Sequence, residues 1–116
     1  MPAIHDKQNL RNILLQHSPV RVGRSQDNDL VIMGREVSRY HCELRRDFLG
    51  RWLLKQLGSS KADQETQNLT FVRRSGKVMR LKPGGRSLKL QAGDEIALGL
   101  KRDQASPTFR LTYVTA

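Results

Sequence analysis

Along most of the chain apolar and polar positions alternate with a period of two. Phe109, Leu111 and Tyr113 are separated by Arg110 and Thr112, the pattern of a strand that buries one face. Cys42 and Leu44 alternate with His41, Glu43 and Arg45 in the same way. Shorter pairs repeat the signal at Val20 and Val22, Trp52 and Leu54, Leu88 and Leu90, and Ile96 and Leu98. Between them lie turn-forming segments: Gln26-Asp27-Asn28-Asp29, Asp47 to Gly50, Ser75-Gly76, Pro83-Gly84-Gly85, Ala92-Gly93-Asp94 and Ser106-Pro107. Short strands at spacings of roughly 8–12 residues predict an all-β protein, a sandwich or barrel. No segment has the period of an amphipathic helix of normal length. Residues 9–16 fit either a strand or one helical turn. Residues 59–68 are polar, without large apolar side chains, and read as an extended loop or hairpin tip.

Composition narrows the class. With 116 residues, the chain fits one domain, and the apolar pattern places its core at about residues 10–115. The longest apolar run, Ile13-Leu14-Leu15, is far below the roughly 20 residues of a membrane helix. The opening residues lack the apolar stretch of a secretory signal. A single cysteine, Cys42, leaves no internal disulfide and no zinc site, and His5, His17 and His41 have no metal-ligand spacing. A cytoplasmic protein without metal or cofactor is expected, a monomer that does not engage membranes.

The charge nominates a ligand class. Twenty-one Lys and Arg against eleven Asp and Glu give +10, a positive potential that attracts phosphate in some form. The cations are dispersed, and aromatics make up only 5 % of residues, so a stacking platform for single-stranded nucleic acid is not indicated.

The chemistry concentrates in short pieces: Val22-Gly23-Arg24-Ser25, Asn28-Asp29-Leu30-Val31-Ile32, Val37-Ser38-Arg39-Tyr40-His41, and Gly50-Arg51-Trp52-Leu53-Leu54 with the later Asn68-Leu69-Thr70-Phe71-Val72. Gly23 allows a sharp turn at a strand end. Arg24 then offers a planar fork matched to two phosphate oxygens. Ser38 supplies a hydroxyl donor and Arg39 a second cation one residue away. Alone, each is an ordinary rim arginine or turn serine; together they make a phosphate cradle. A serine three residues before a histidine invites a catalytic reading, but no third group orients the imidazole. His41 therefore reads as structural support for the Ser38 loop, Cys42 as a small buried hydrophobe, and Trp52 and Phe109 as core.

In order and spacing these pieces resemble the forkhead-associated (FHA) domain, a phosphothreonine-binding module, over about Val20 to Val114. The resemblance includes Leu90 to Gly99, similar to that family's late hairpin. It implies a two-sheet antiparallel β-sandwich of the FHA/SMAD type, about ten or eleven strands. It implies a phosphothreonine-containing protein as partner, bound by Arg24, Ser38, Arg39 and Asn68, with Gly23 and an architectural His41 in support. Asn68 would hydrogen-bond the peptide backbone. The family's Asn-Gly-Thr is here Asn68-Leu69-Thr70, and Ser60 to Gln67 intervene after Gly58-Ser59. Ser60 and Gln67 are thus candidates for a neighbouring phosphate contact. Arg35 and Glu36 are placed to sense flanking residues, and the resemblance implies that phosphoserine binds poorly because the threonine methyl fills a small pocket. Two other readings stand beside the phosphopeptide module: a basic nucleic-acid-binding domain, and an FHA-like scaffold whose phosphate site is idle. An enzyme is not expected.

Overall fold

A computed structural model describes residues 1–57, 69–100 and 106–115. Eleven strands form among them: β1 (Ala3–Asp6), β2 (Arg11–Leu14), β3 (Val20–Gly23), β4 (Leu30–Val31), β5 (Cys42–Arg46), β6 (Trp52–Gln56), β7 (Thr70–Arg74), β8 (Lys77–Leu81), β9 (Leu88–Lys89), β10 (Glu95–Leu98) and β11 (Leu111–Val114). No described residue is helical. One sheet has the order β2-β1-β11-β10-β7-β8 and the other β4-β3-β5-β6-β9. The architecture is the expected all-β sandwich. Neighbouring strands pair antiparallel except β3 and β4, which run parallel with Val22 beside Leu30.

The registers explain the core. In the five-stranded sheet Val20 pairs with Leu44 and Leu44 with Leu54, so one row of buried side chains crosses three strands. In the six-stranded sheet Ile96 lies opposite both Leu111 and Val72, and Ile4 opposite Tyr113. These rows face each other and close into one cluster with Trp52, Leu30, Ile32 and Val37. A period of two puts every second residue into that layer, which is why the alternation read from the sequence marks the strands.

The structure departs from the pattern at the N-terminus. Residues 9–16 contain a strand, β2, and β1 before it pairs with both β2 and β11. The core reaches back to Ala3 and Ile4, ahead of the expected start near residue 10. Asp6 is fully buried, held by Arg110 at 3.0 Å and Arg11 at 3.2 Å. A buried carboxylate is stable only with such partners, and Arg110 is remote in sequence, so nothing local announces the strand. Phe109 precedes β11 and is half-buried. The Arg73 guanidinium lies 4.4 Å from the centre of its ring.

The strand ends define one rim of the sandwich. β3 stops at Gly23 where β5 begins at Cys42, while β7 starts at Thr70 opposite the ends of β8 (Leu81) and β10 (Leu98). The two sheets are bridged at this rim by hydrogen bonds from His41 to Leu69 and from Gly84 to Gln56.

Candidate functional site

The backbone at Arg24 lies beside that at Ser38 and Arg39 because the β3–β5 ladder continues past both strands. His41 donates its amide to the Val22 carbonyl at 2.9 Å. The Arg24 amide donates to the Ser38 carbonyl at 3.0 Å, and the Ser25 amide to the Arg39 carbonyl at 3.1 Å. Two loops far apart in sequence are therefore zipped side by side, and residues 24 and 38 become backbone neighbours. Ser38 is half-buried, whereas Arg24 and Arg39 are exposed.

Gly23 is required for a different reason from the sharp turn expected of it. Its φ is not in the left-handed region. A Cβ there would meet the Arg39 carbonyl oxygen at 2.2 Å and Asn28 Nδ2 at 2.9 Å. The missing side chain is what lets the second loop close against the first.

Asn28 is the clamp that sequence reasoning missed. Its side-chain amide donates to the Ser25 carbonyl at 2.9 Å and the Arg39 carbonyl at 2.7 Å, so one group ties both loops. It sits in a polar run that reads as a turn, and no local pattern separates a buried amide there from a solvated one. Its Oδ1 is buried without a hydrogen-bond partner among the described residues.

Strand alternation puts His41 on the polar face, whereas its side chain is fully buried. The Ser38 amide donates to Nδ1 at 3.1 Å, and the ring's other nitrogen lies 3.1 Å from the Leu69 carbonyl. An amide can only donate and a carbonyl can only accept, so the proton resides on Nε2 and the ring is neutral. Burial drives the imidazole pKa down to about 4, with the Leu69 hydrogen bond opposing. The Leu69 carbonyl also accepts from the Gly99 amide at 2.6 Å. One ring thus pins the Ser38 loop to the start of β7 and the end of β10. Next to it, burial pushes the Cys42 thiol up to about 12, an inert core residue.

Two acids of these loops, Asp27 and Asp29, are occupied elsewhere. Asp27 accepts from the Ser25 and Tyr40 hydroxyls, and these two bonds hold its carboxyl below the usual range. Asp29 accepts from the Arg21 amide at 2.8 Å and faces His17 at 3.0 Å. Neither the Arg24 nor the Arg39 guanidinium has an ion-pair or hydrogen-bond partner among the described residues. A guanidinium without such a partner gives an anion charge-assisted bonds without displacing an existing one. Asn68, Ser60, Gln67 and the loop 59–68 lie outside the described residues. Among the described residues no group of His, Cys, Asp and Glu could hold a metal.

A family model described as FHA domain matches residues 20–99. No curated protein matches the chain. Among solved structures, Mycobacterium tuberculosis EmbR in complex with a low affinity phosphopeptide is 25 % identical with a TM-score of 0.66; the match covers 97 % of this chain and 24 % of that one. The chain therefore spans about a quarter of the EmbR chain. The FhaA FHA domain, complexed with the intracellular domain of Rv3910, is 27 % identical with a TM-score of 0.64, covering 85 % of this chain and 92 % of that one. The N-terminal FHA domain of S. cerevisiae Rad53p, in complex with a phosphothreonine peptide, shares the fold with a TM-score of 0.67 at 15 % identity, covering 99 % and 93 %.

Proposed function

The chain belongs to the forkhead-associated domain family, and from that premise we propose that it is a binding module for phosphothreonine peptides, not an enzyme. The observation that carries the reading is that Arg24 and Arg39, with no ion-pair or hydrogen-bond partner among the described residues, sit on loops that backbone hydrogen bonds lock side by side with Ser38. EmbR and the Rad53p domain, which share this fold, are bound to phosphopeptides.

The phosphate dianion docks at the rim. Arg24 takes two oxygens with its fork, Ser38 donates its hydroxyl to a third, and Arg39 adds charge. The loops are already fixed by Gly23, Asn28 and His41, so little ordering entropy is spent on binding. Each charge-assisted bond contributes roughly 1.5–3 kcal/mol. Asn68, which precedes the anchored Leu69 in the chain, holds the peptide backbone, with Ser60 or Gln67 beside it. The module works as a monomer in the cytoplasm.

The test is amide-resolved NMR. Titration with a phosphothreonine peptide moves the resonances of Arg24, Ser38 and Arg39 and leaves those of the Asp47 to Gly50 turn in place. The unphosphorylated peptide moves none of them, and a phosphoserine peptide binds more weakly. Equal shifts from phosphorylated and plain peptides would overturn the reading.

A further inference from the structure

A groove of about 420 Å³ opens on the same rim, lined by Leu69, Arg80, Leu81, Lys82, Pro83 and Gly85. Its position follows from the topology. Thr70 pairs with Leu81, so the start of β7 and the end of β8 lie side by side. The turn after β8 is folded by a bond from the Gly85 amide to the Lys82 carbonyl at 3.0 Å and fastened to the other sheet through Gly84 and Gln56. Leu81 is buried and Leu69 and Pro83 are half-buried, while Arg80 and Lys82 are exposed. The groove thus combines an apolar floor with cationic walls.

Two features single out this groove among the basic surfaces. Among the described residues none that lines it is acidic, and neither Arg80 nor Lys82 has an ion-pair or hydrogen-bond partner there. It is also coupled to the phosphate cradle. Leu69, on its floor, accepts from His41, whose other nitrogen accepts from Ser38. One imidazole and two 3.1 Å hydrogen bonds separate the Ser38 amide from the Leu69 carbonyl, a span that extended peptide covers in about three residues at roughly 3.3 Å each.

We propose that this groove is a second anion site for the same ligand: it takes an acidic side chain of the phosphothreonine peptide, with an apolar neighbour on the Leu69–Pro83 floor. The proposal rests on the phosphopeptide reading and names the ligand class more closely, as a phosphothreonine segment that continues into an acidic stretch. The shared chemistry is an oxyanion on a tether, supplied either by carboxylates or by a second phosphate. Two weak sites on one ligand reinforce each other because binding at the first raises the effective concentration at the second.

The experiment uses the whole chain and calorimetric titration with phosphothreonine peptides of one length. One has neutral flanks, one carries aspartates three to five residues from the phosphothreonine on either side, and one carries a second phosphate there. Native protein binds the anionic peptides about tenfold more tightly than the neutral one. Replacing both exposed cations, Arg80→Ala with Lys82→Ala, abolishes that advantage and leaves affinity for the neutral-flanked phosphopeptide unchanged. Removing two cations remote from the groove, Lys77→Ala with Lys89→Ala, keeps the advantage. A larger gain from the phosphate arm identifies a second phosphate as the natural anion, and equal gains identify carboxylates as sufficient. Equal affinity of native protein for neutral and anionic peptides overturns the proposal, as does an advantage that survives loss of Arg80 and Lys82 or disappears with Lys77 and Lys89. Failure of native protein to bind even the neutral-flanked phosphopeptide defeats the underlying reading and the groove with it.

Discussion

Arginines do opposite work in two regions of this molecule. Along the six-stranded sheet Arg11, Arg73, Arg74 and Arg110 are matched to carboxylates. Arg74 forks onto buried Asp94 at 2.8 and 2.6 Å, Arg73 onto Glu95 at 3.0 Å through both nitrogens, and Arg110 and Arg11 onto Asp6. Hydrogen bonding from Arg73 and Lys7 holds the Glu95 carboxyl down at about 2. At the rim, Arg24 and Arg39 have no such partner among the described residues, while Asp27 and Asp29 bind hydroxyls and a backbone amide instead. The net charge of +10 describes neither region. Pairing does: a matched arginine holds the fold, and an unmatched one is available to a ligand.

That contrast can be broken at either end, and the largest effect is expected on the matched side. Arg110→Ala leaves Asp6, which has no exposed surface, with one arginine partner fewer. Removing one partner of a buried charge costs up to about 3–5 kcal/mol, and less here because Arg11 remains. Denaturant unfolding reads this as a loss of stability, and phosphopeptide affinity of the folded fraction stays unchanged. For Asp6 itself burial opposes ionisation, but Arg110 and Arg11 outweigh it and the pKa falls below its usual value. Its stabilising contribution is therefore present at neutral pH and lost only as the carboxyl protonates in acid.

Between the two regions stands His41, with a pH dependence of its own. Its folded pKa of about 4 lies below the ordinary histidine value of 6.5, so the unfolded chain binds the proton more readily. The stability it confers is complete above about pH 6.5 and is lost as the pH falls towards 4, by roughly 3 kcal/mol. Ring resonances of His41 stay in the neutral form down to about pH 4. A midpoint near 6.5 would show that the ring does not pin the Ser38 loop as described.

On the unmatched side the effects fall on affinity. Ser38→Ala removes one hydroxyl donor from the cradle and weakens phosphothreonine binding about tenfold, since 1.4 kcal/mol is a factor of ten. Calorimetry measures this, with unfolding free energy within about 0.5 kcal/mol of native. The smallest effect is expected at Tyr40, about half exposed and bonded to Asp27 at 2.7 Å. Tyr40→Phe costs about 0.5–1 kcal/mol of stability and sharpens the comparison by showing that Asp27 does not then capture Arg24.

How much of this was legible in the sequence follows the same division. Strands whose apolar residues alternate, such as Val20 and Val22 or Trp52 and Leu54, could be read because one face meets the core and the other meets water. β1 could not, because Asp6 looks like a solvent residue and its partner Arg110 is 104 positions away. β8 is an edge strand in which only Leu81 is buried, so its alternation is faint. At the rim, Arg24, Ser38 and Arg39 could be named from residue type and spacing. Asn28 and the Leu69 carbonyl could not, because a clamp and a backbone acceptor exist only once the loops are folded together. At Gly23 the sequence suggests a turn, whereas a close approach by the Arg39 carbonyl is what demands a glycine there.

The most direct test is a calorimetric titration of native protein and Arg24→Ala with one peptide in its threonine and phosphothreonine forms. If Arg24 contributes two charge-assisted bonds to the phosphate, its loss weakens phosphothreonine binding by about a hundredfold and leaves unfolding unchanged. Undiminished phosphothreonine affinity in Arg24→Ala, or native protein that binds both peptide forms alike, would contradict the account.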